Sequence, residues 1–190
     1  MMRIFLVLAI AFFTLCGSAA AHAEKADRDQ VMNWSSKQAS AEGTKETNVM
    51  AFDGDVLMTQ GTIRITAERA VVKQTGATRF AELFGASGKQ VTFRQKREGE
   101  SEFVDATADR AEYEDGSGII RLFSKVHFKS GGDLVDSEYM QYNITTQKME
   151  LRNQVPGLKP KPGADGRVTF EIQPRSQGEK KPGSAKTPEK

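Results

Sequence analysis

Residues 52–72, FDGDVLMTQGTIRITAERAVV, alternate apolar and polar side chains, and this pattern constrains the fold more than any other feature of the chain. A period of two over this length is typical of β-strands with one solvated face. The phase changes at Gln60-Gly61, where a turn or bulge is expected, and Asp53-Gly54 predicts a hairpin-type turn at the start. The stretch therefore predicts a strand, a corner and a second strand.

A similar pattern returns twice further along the chain. Residues 66–72, 107–113 and 136–142 share an order of small, acidic, long, small or apolar, and finally apolar or aromatic side chains. A lone hairpin cannot bury its apolar face, so repeated units of this kind predict a β-stack with a common interior. Any amphipathic β-protein can also produce such echoes, and this alternative stays open.

The first 23 residues have the pattern of a secretory signal peptide. An apolar run follows Arg3, and the segment ends in an A-x-A cleavage site at Ala21-His22-Ala23. The apolar run, of roughly twelve residues, is short for a bilayer span, so cleavage is expected rather than anchoring. Cys16 is the only cysteine and lies in this segment, so the mature chain can form no intramolecular disulfide.

The rest of the chain predicts one all-β domain over residues 24–173. Short alternating runs are separated by polar turns, and no helical period is long enough to matter, which favours a sandwich, roll or barrel-like stack. A polar loop is expected over residues 73–79, and residues 168–172 can add a last strand. Residues 174–190 have no apolar side chain beyond Ala185 and predict a disordered basic tail. Because the body before this tail is slightly acidic, a nucleic-acid partner is not expected.

The titratable residues do not form a recognisable catalytic set. One of the two histidines falls in the signal segment and His127 stands alone in a strand, which leaves no histidine pair for a metal and no triad. Asp53 with Asp55, and Asp133 with Asp136, could act as acid–base pairs, but aspartate is common beside glycine turns for backbone reasons. We therefore expect no enzymatic activity, no metal site and no cofactor.

The apolar face is the strongest functional feature. Because no amphipathic helix is predicted to cover it, the face must fold on itself, pair with a second sheet or enclose an apolar ligand. Its large residues are Val56, Met58, Ile63, Ile65, Phe93, Tyr113, Leu122, Val126, Phe128 and Tyr142. Ordinary core packing is the alternative interpretation of each of them.

Residues 52–69 and residues 88–96, GKQVTFRQK, resemble the OstA-like family of periplasmic lipopolysaccharide-transport proteins. The likeness includes the pattern GDV-x-x-x-QG-x-x-x-x-x-A and extends to residues 27–30, 106–113 and 147–149. It covers most of the chain between Asp27 and Leu151. By position, the lipid-lining residues of the family correspond to Met32, Trp34, Phe93 and Tyr113.

The resemblance implies a β-jellyroll, V-shaped in section, whose interior holds the lipid A acyl chains of lipopolysaccharide. It also implies a head-to-tail homo-oligomer in the periplasm, joined by edge strands, that serves outer-membrane assembly. Such a bridge would run from an inner-membrane-anchored OstA-like partner to the amino-terminal domain of the outer-membrane translocon. Unpaired sheet edges are templates for pairing, and heterologous pairing gives open-ended filaments.

Two other functions stay open at this point. A structural or adhesive periplasmic β-protein without a lipid ligand would use Phe93 and Tyr113 as ordinary core residues. A carbohydrate-active enzyme acting on envelope glycans would depend on Asp53 or Asp133.

Overall fold

A 3-10 helix and twelve antiparallel strands make up the described part of the chain. The computed structural model describes residues 25–97, 100–159 and 167–173. The helix spans Lys25–Asp29, and the strands are β1 (Met32–Ser35), β2 (Gln38–Gly43), β3 (Thr47–Gln60), β4 (Ile63–Thr75), β5 (Thr78–Phe84), β6 (Val91–Lys96), β7 (Phe103–Ala108), β8 (Arg110–Glu114), β9 (Ile119–Ser130), β10 (Asp133–Asn143), β11 (Met149–Arg152) and β12 (Thr169–Glu171). The all-β prediction is confirmed. The predicted signal peptide and basic tail lie outside the described residues and stay predictions.

Four long strands, β3, β4, β9 and β10, each belong to two sheets. Sheet 1 consists, in order, of β1, the second half of β3, the first half of β4, β6, β7, the second half of β9, the first half of β10 and β12. Sheet 2 consists of β2, the other halves of β3 and β4, β5, β8, the other halves of β9 and β10, and β11. The sheets meet at a line of bends, here called the corner, and the strand ends away from it form the open side. This is the V-shaped β-jellyroll that the resemblance implied.

Two of the long strands cross the corner through pairs of left-handed residues. β3 bends at Gly54 and Asp55, with φ of 77° and 48°, and β9 bends at Ser124 and Lys125, with φ of 63° and 48°. The pairing of β3 with β4 shifts register directly after Asp53. Asp53-Gly54 is therefore part of a bulge inside β3, and the predicted hairpin-type turn is wrong. The two structures share a sequence signal, because both place a glycine in the left-handed conformation.

The three repeated segments are the places where the chain crosses the corner in the opposite direction. Each has one inward residue in sheet 1 and, three positions later, the next inward residue in sheet 2. These buried sets are Ala67, Ala70 and Val72; Ala108, Ala111 and Tyr113; and Ser137, Met140 and Tyr142. An uninterrupted period of two would turn the second half of each segment outward. The spacing of three therefore keeps the interior apolar on both sides of the corner.

Charged side chains line the outer surface of the corner. Asp55 contacts the ammonium nitrogens of Lys37 and Lys89, each at 2.6 Å, and Lys89 also lies 3.2 Å from a carboxylate oxygen of Glu68. Hydrogen bonds from Lys37 and Lys89 hold the pKa of Asp55 at about 2. Glu68 and Asp109, the acidic positions of the first two repeats, are thus partly exposed on the outside of the corner, where they pair with Lys89 and Lys125.

The remaining predictions for the turns and the last strand are confirmed except in one place. The turn at Gly61 between β3 and β4 and the last strand, β12, are confirmed. The polar loop predicted over residues 73–79 is wrong, because β4 continues to Thr75 and β5 begins at Thr78. These polar residues pair across the strands, with Lys73 opposite Phe80, so ladder hydrogen bonds outweigh their polarity.

We expect Gly85→Ala to disrupt the corner. A Cβ at Gly85 would lie 2.5 Å from the carbonyl oxygen of Lys89 and 3.2 Å from that of Asp109, so backbone would have to move. The free energy of unfolding should fall by about 2–3 kcal/mol in urea denaturation. Gly88→Ala is the control, because Gly88 has φ of 77° but open space around it, and should cost about 1 kcal/mol. Equal losses for the two variants would contradict this account of the corner.

Candidate functional site

The interior between the two sheets contains all ten candidate lipid-binding residues, which are eight residues of the predicted apolar face together with Met32 and Trp34 from the family resemblance. Sheet 1 contributes Met32, Trp34, Val56, Met58, Ile63, Ile65, Phe93 and Phe128, and sheet 2 contributes Tyr113 and Leu122. Eight of the ten are at most 3% exposed, and Met32 and Trp34 are half-buried. The structure therefore brings the ten together, and their binding of lipid stays a prediction.

The interior begins at the edge formed by β1 and β2. Trp34 of sheet 1 stacks on Phe52 of sheet 2, with ring centroids 5.2 Å apart and planes 15° from parallel. Met32 and Met50 are half-buried and pack against the same core. This end consequently exposes part of the apolar interior to solvent.

An aromatic cluster occupies the middle of the interior. Tyr142 of sheet 2 lies between two rings of sheet 1, with its centroid 6.0 Å from that of Phe93 and 5.9 Å from that of Phe128. The contact with Phe93 is edge-on and that with Phe128 is tilted, and such aromatic contacts add to the stabilisation that burial provides. Burial raises the pKa of Tyr142 to about 12. The phenol therefore stays neutral at physiological pH.

The far end, formed by β11 and β12, is the more exposed part of the interior. Met149 and Leu151 lie opposite the inward residues Tyr142 and Met140, and Phe170 lies opposite Val135. Phe170 is 54% exposed. The apolar interior is thus continuous from one edge of the jellyroll to the other.

A few polar groups interrupt the interior on its open side. The hydroxyl of Tyr113 in sheet 2 donates to Oε1 of Gln60 in sheet 1 at 3.0 Å. Nε2 of Gln95 in sheet 1 donates to the carbonyl oxygen of Ile144, beyond β10 in sheet 2, at 3.2 Å. Burial raises the pKa of Tyr113 far above its usual range, so this bond keeps its donor. These hydrogen bonds join the two sheets on the open side, where the sheets would otherwise separate.

Sequence reasoning missed several interior residues. Met50, Phe52, Leu83, Met140 and Leu151 all face inward but were not among the candidates. Phe52 begins the recognised stretch but was not assigned to the apolar face, because a turn was predicted at Asp53-Gly54, although Phe52 and Val56 are in phase. Gln60 and Gln95 were missed because a polar residue inside an apolar interior breaks the alternation on which the search relied.

The carboxylates considered for catalysis are occupied in structural contacts. Asp53 lies 3.4 Å from Arg69, Asp133 accepts a hydrogen bond from the backbone N–H of Gln173 at 3.0 Å, and His127 contacts Asp136. Within the described ranges, no three histidine, cysteine, aspartate or glutamate side chains are grouped to hold a metal ion.

A groove of about 370 Å³ lies on the surface outside the V, between β7, β9, β10 and β12. Its walls include outward side chains such as His127, Leu134 and Asp136. The groove thus lies on the outer face of sheet 1, apart from the apolar interior. In the part of the chain that the structure describes, no helix is long and apolar enough to cross a membrane.

Comparisons with known proteins agree with this architecture. A family model described as LptA/(LptD N-terminal domain) LPS transport protein matches residues 35–148. The lipopolysaccharide export system protein LptA of Escherichia coli strain K12 is 29% identical over 148 residues, which cover 78% of each chain. LptA of Haemophilus influenzae is 27% identical over 137 residues, which cover 70% of this chain and 76% of that protein.

A solved structure shows the same fold. LptH of Pseudomonas aeruginosa, described as the LptA-homologous periplasmic component of the lipopolysaccharide transport device, has a TM-score of 0.69 at 20% identity. The likeness covers 78% of this chain and 99% of that chain.

The bent two-sheet fold and its continuous apolar interior define an OstA-like β-jellyroll. The chain belongs to the LptA/(LptD N-terminal domain) family of lipopolysaccharide transport proteins, whose model matches more than half of it. Within this family it is LptA-like, in agreement with its curated relatives. The role that the family description gives is transport rather than catalysis.

We expect Tyr142→Phe to weaken the alkaline sensitivity of the fold. The pKa of Tyr142 is about 12 in the folded chain, against about 10 in the unfolded chain. The neutral phenol of Tyr142 therefore makes its full contribution to the free energy of unfolding below pH 10. This contribution declines as the pH rises from 10 to 12, by up to about 2.5 kcal/mol. Urea denaturation at pH 8 and pH 11.5 should show a smaller fall for the variant than for the parent. Parallel losses in the two proteins would contradict this assignment, and the pH 8 values control for packing.

Proposed function

We propose that this protein binds lipopolysaccharide by enclosing its lipid A acyl chains between the two sheets, and carries it through the periplasm. The observation that carries the proposal is the continuous apolar interior, which runs through both sheets and reaches solvent at both edges. Acyl chains that cross an aqueous compartment need such an interior, because each buried CH2 group contributes about 0.8 kcal/mol. Membership of a lipopolysaccharide transport family supports the same ligand.

Export to the periplasm is part of the proposal. The signal-peptide pattern in residues 1–23 supports it, as does the periplasmic setting stated for LptH. An exported chain without cysteine after residue 16 folds independently of disulfide formation.

Photo-crosslinking tests where the lipid lies. Phe93 and Thr92 are adjacent in β6 but lie on opposite faces, one buried and one exposed, so they form a matched pair. With a benzophenone amino acid at either position, we expect lipopolysaccharide to crosslink at Phe93 and not at Thr92. Because a large group at Phe93 could disturb packing, a third variant carries it at the half-buried Trp34, where crosslinking is also expected.

Folded variants that crosslink at neither interior position would overturn the proposal. The interior would then be a closed core, and the structural or adhesive β-protein would become the better interpretation. Circular dichroism of each variant establishes the folded state before irradiation.

We further propose that protomers join head to tail into a bridge between the inner-membrane export complex and the outer-membrane translocon. Its end partners would be the membrane-anchored OstA-like protein and the translocon amino-terminal domain. One edge of the jellyroll consists of β1 and β2 and the other of β11 and β12. Each edge strand has a row of backbone groups unpaired within the described chain, which can pair with a strand of a neighbour. Pairing of unlike edges would continue both sheets and the apolar interior.

Ala41→Pro tests this assembly at β2. The N–H of Thr44 donates to the carbonyl oxygen of Thr47 at 2.8 Å, and alternation along the antiparallel pair then directs the N–H of Ala41 to the free edge. Proline there removes an edge donor and no bond to β3. We expect the variant to remain folded but monomeric in sedimentation experiments at concentrations where the parent oligomerises. Ala41→Ser, which keeps the N–H, should oligomerise normally, and unchanged oligomers of the proline variant would exclude β2 as the pairing strand.

A further inference from the structure

The interior is filled by its own side chains, which constrains how an acyl chain can enter. Phe93, Tyr113 and Phe128 are at most 3% exposed. If lipid enters as proposed above, the two sheets must move apart, and the covalent continuity of the strands across the corner makes the open side the place where they can. The contacts that hold the two sheets together on the open side therefore determine whether an acyl chain can enter the interior.

The segment before β1 spans this open side. Asp27 is 2% exposed and accepts two hydrogen bonds from Thr62, from its N–H at 2.7 Å and from its Oγ1 at 2.6 Å. Nε2 of Gln60 donates to the carbonyl oxygen of Arg28 at 3.0 Å. Because Gln60 and Thr62 flank the turn between β3 and β4, these contacts fasten the segment to sheet 1.

The same segment is also fastened to sheet 2. Nη2 of Arg28 donates to the carbonyl oxygens of Asp115 and Gly116, at 2.8 Å and 2.7 Å. Both carbonyls belong to the turn between β8 and β9, on the open side of sheet 2. Asp27 and Arg28 are neighbours in sequence, so two adjacent side chains connect the two sheets.

We propose that residues 27–30 form a removable strap that closes the open side, and that release of the strap admits acyl chains to the interior. The identity of the ligand rests on the proposed function, whereas the closing of the open side by the strap concerns the protein alone. The bonds named above lie outside the ladders of both sheets. The strap can therefore leave while β1 stays paired with β3 and the corner stays intact.

The strap is attached through polar groups that water can replace. Its helix has five residues, too few to be stable without its attachments. Release exchanges hydrogen bonds within the protein for hydrogen bonds with water, so the net loss for each bond is only a fraction of its strength in isolation. A lipid that then fills the opened interior would keep the strap out, because acyl chains would occupy the space between the sheets.

Asp27→Ala tests the strap with two measurements. Uptake of fluorescently labelled lipopolysaccharide should become about tenfold faster, which corresponds to the loss of about 1.4 kcal/mol from the barrier. Spin labels at S101C and T146C, exposed positions in turns of sheet 1 and sheet 2 on the open side, should give a longer and broader distance distribution. Asp29→Ala is the control, because it removes the same charge from an exposed side chain of the same helix and should change neither quantity.

A disulfide provides the opposite test. The double variant D27C/T62C, expressed from residue 24 so that no other cysteine is present, joins two side chains that already touch. The oxidised protein should take up lipopolysaccharide at least tenfold more slowly than the same protein after reduction. Oxidation and reduction act on one folded sample, so a general folding defect does not affect the comparison.

The outcomes separate the strap from the proposed function. If Asp27→Ala lowers thermal stability but changes neither uptake nor distance, the segment is a fixed part of the fold and the strap is refuted. Equal uptake by the oxidised and reduced forms of D27C/T62C would refute it as well. If Asp27→Ala lengthens the distance although neither it nor the parent protein binds lipopolysaccharide, the strap is supported and the proposed function fails.

Discussion

The structure depends on one constraint, which is that every strand crossing the corner must keep its apolar side chains on the inside. A one-sided sheet buries its apolar face only if the next sheet presents the same face to it, and a single error of phase turns a whole half-strand outward. The chain meets this constraint with left-handed pairs at Gly54-Asp55 and Ser124-Lys125, and with the spacing of three in the returning segments. Because the left-handed pairs and the spacing of three both lie at the corner, the interior is continuous rather than divided into two separate cores.

Polar contacts on the open side differ in kind from the apolar contacts deeper in the V. Apolar side chains lose contact with one another when the sheets part. They can make equivalent contacts with an acyl chain, because the closed interior and the lipid-filled interior both exclude water. The bond of Tyr113 to Gln60 and that of Gln95 to Ile144 gain no such replacement from a hydrocarbon. Leaving such a group buried without a partner costs about 1–3 kcal/mol, so together the two bonds oppose opening without forbidding it. A protein that closes and, as proposed, also admits a lipid needs a barrier of this size.

The sequence predicts the interior well and the corner poorly, for a physical reason. Inward residues such as Met58, Ile65 and Phe93 follow from a period of two, which is local and needs no knowledge of the partner strand. The repeats were recognised, yet their cause was not, because a spacing of three between Ala67 and Ala70 acquires meaning only once the sheet is known to bend there. The contact of Asp27 with Thr62 joins residues far apart in sequence without any periodic signal, so alternation could not find it. Only the resemblance to a known family drew attention to residues 27–30.

The two edges of the jellyroll differ chemically, and this difference would give the proposed assembly a direction. β2 presents exposed, mostly small or polar side chains, and the same edge exposes one large apolar residue, Val31, just before β1. The opposite edge exposes three, which are Met149, Phe170 and, just beyond β12, Ile172. Two apolar edges paired with each other would bury that surface but would leave only β1–β2 edges free at both ends of the pair. Pairing of unlike edges covers the apolar residues and extends the same interior into the next molecule. Because the second arrangement leaves one free edge of each type, it can also receive a different OstA-like domain at either end.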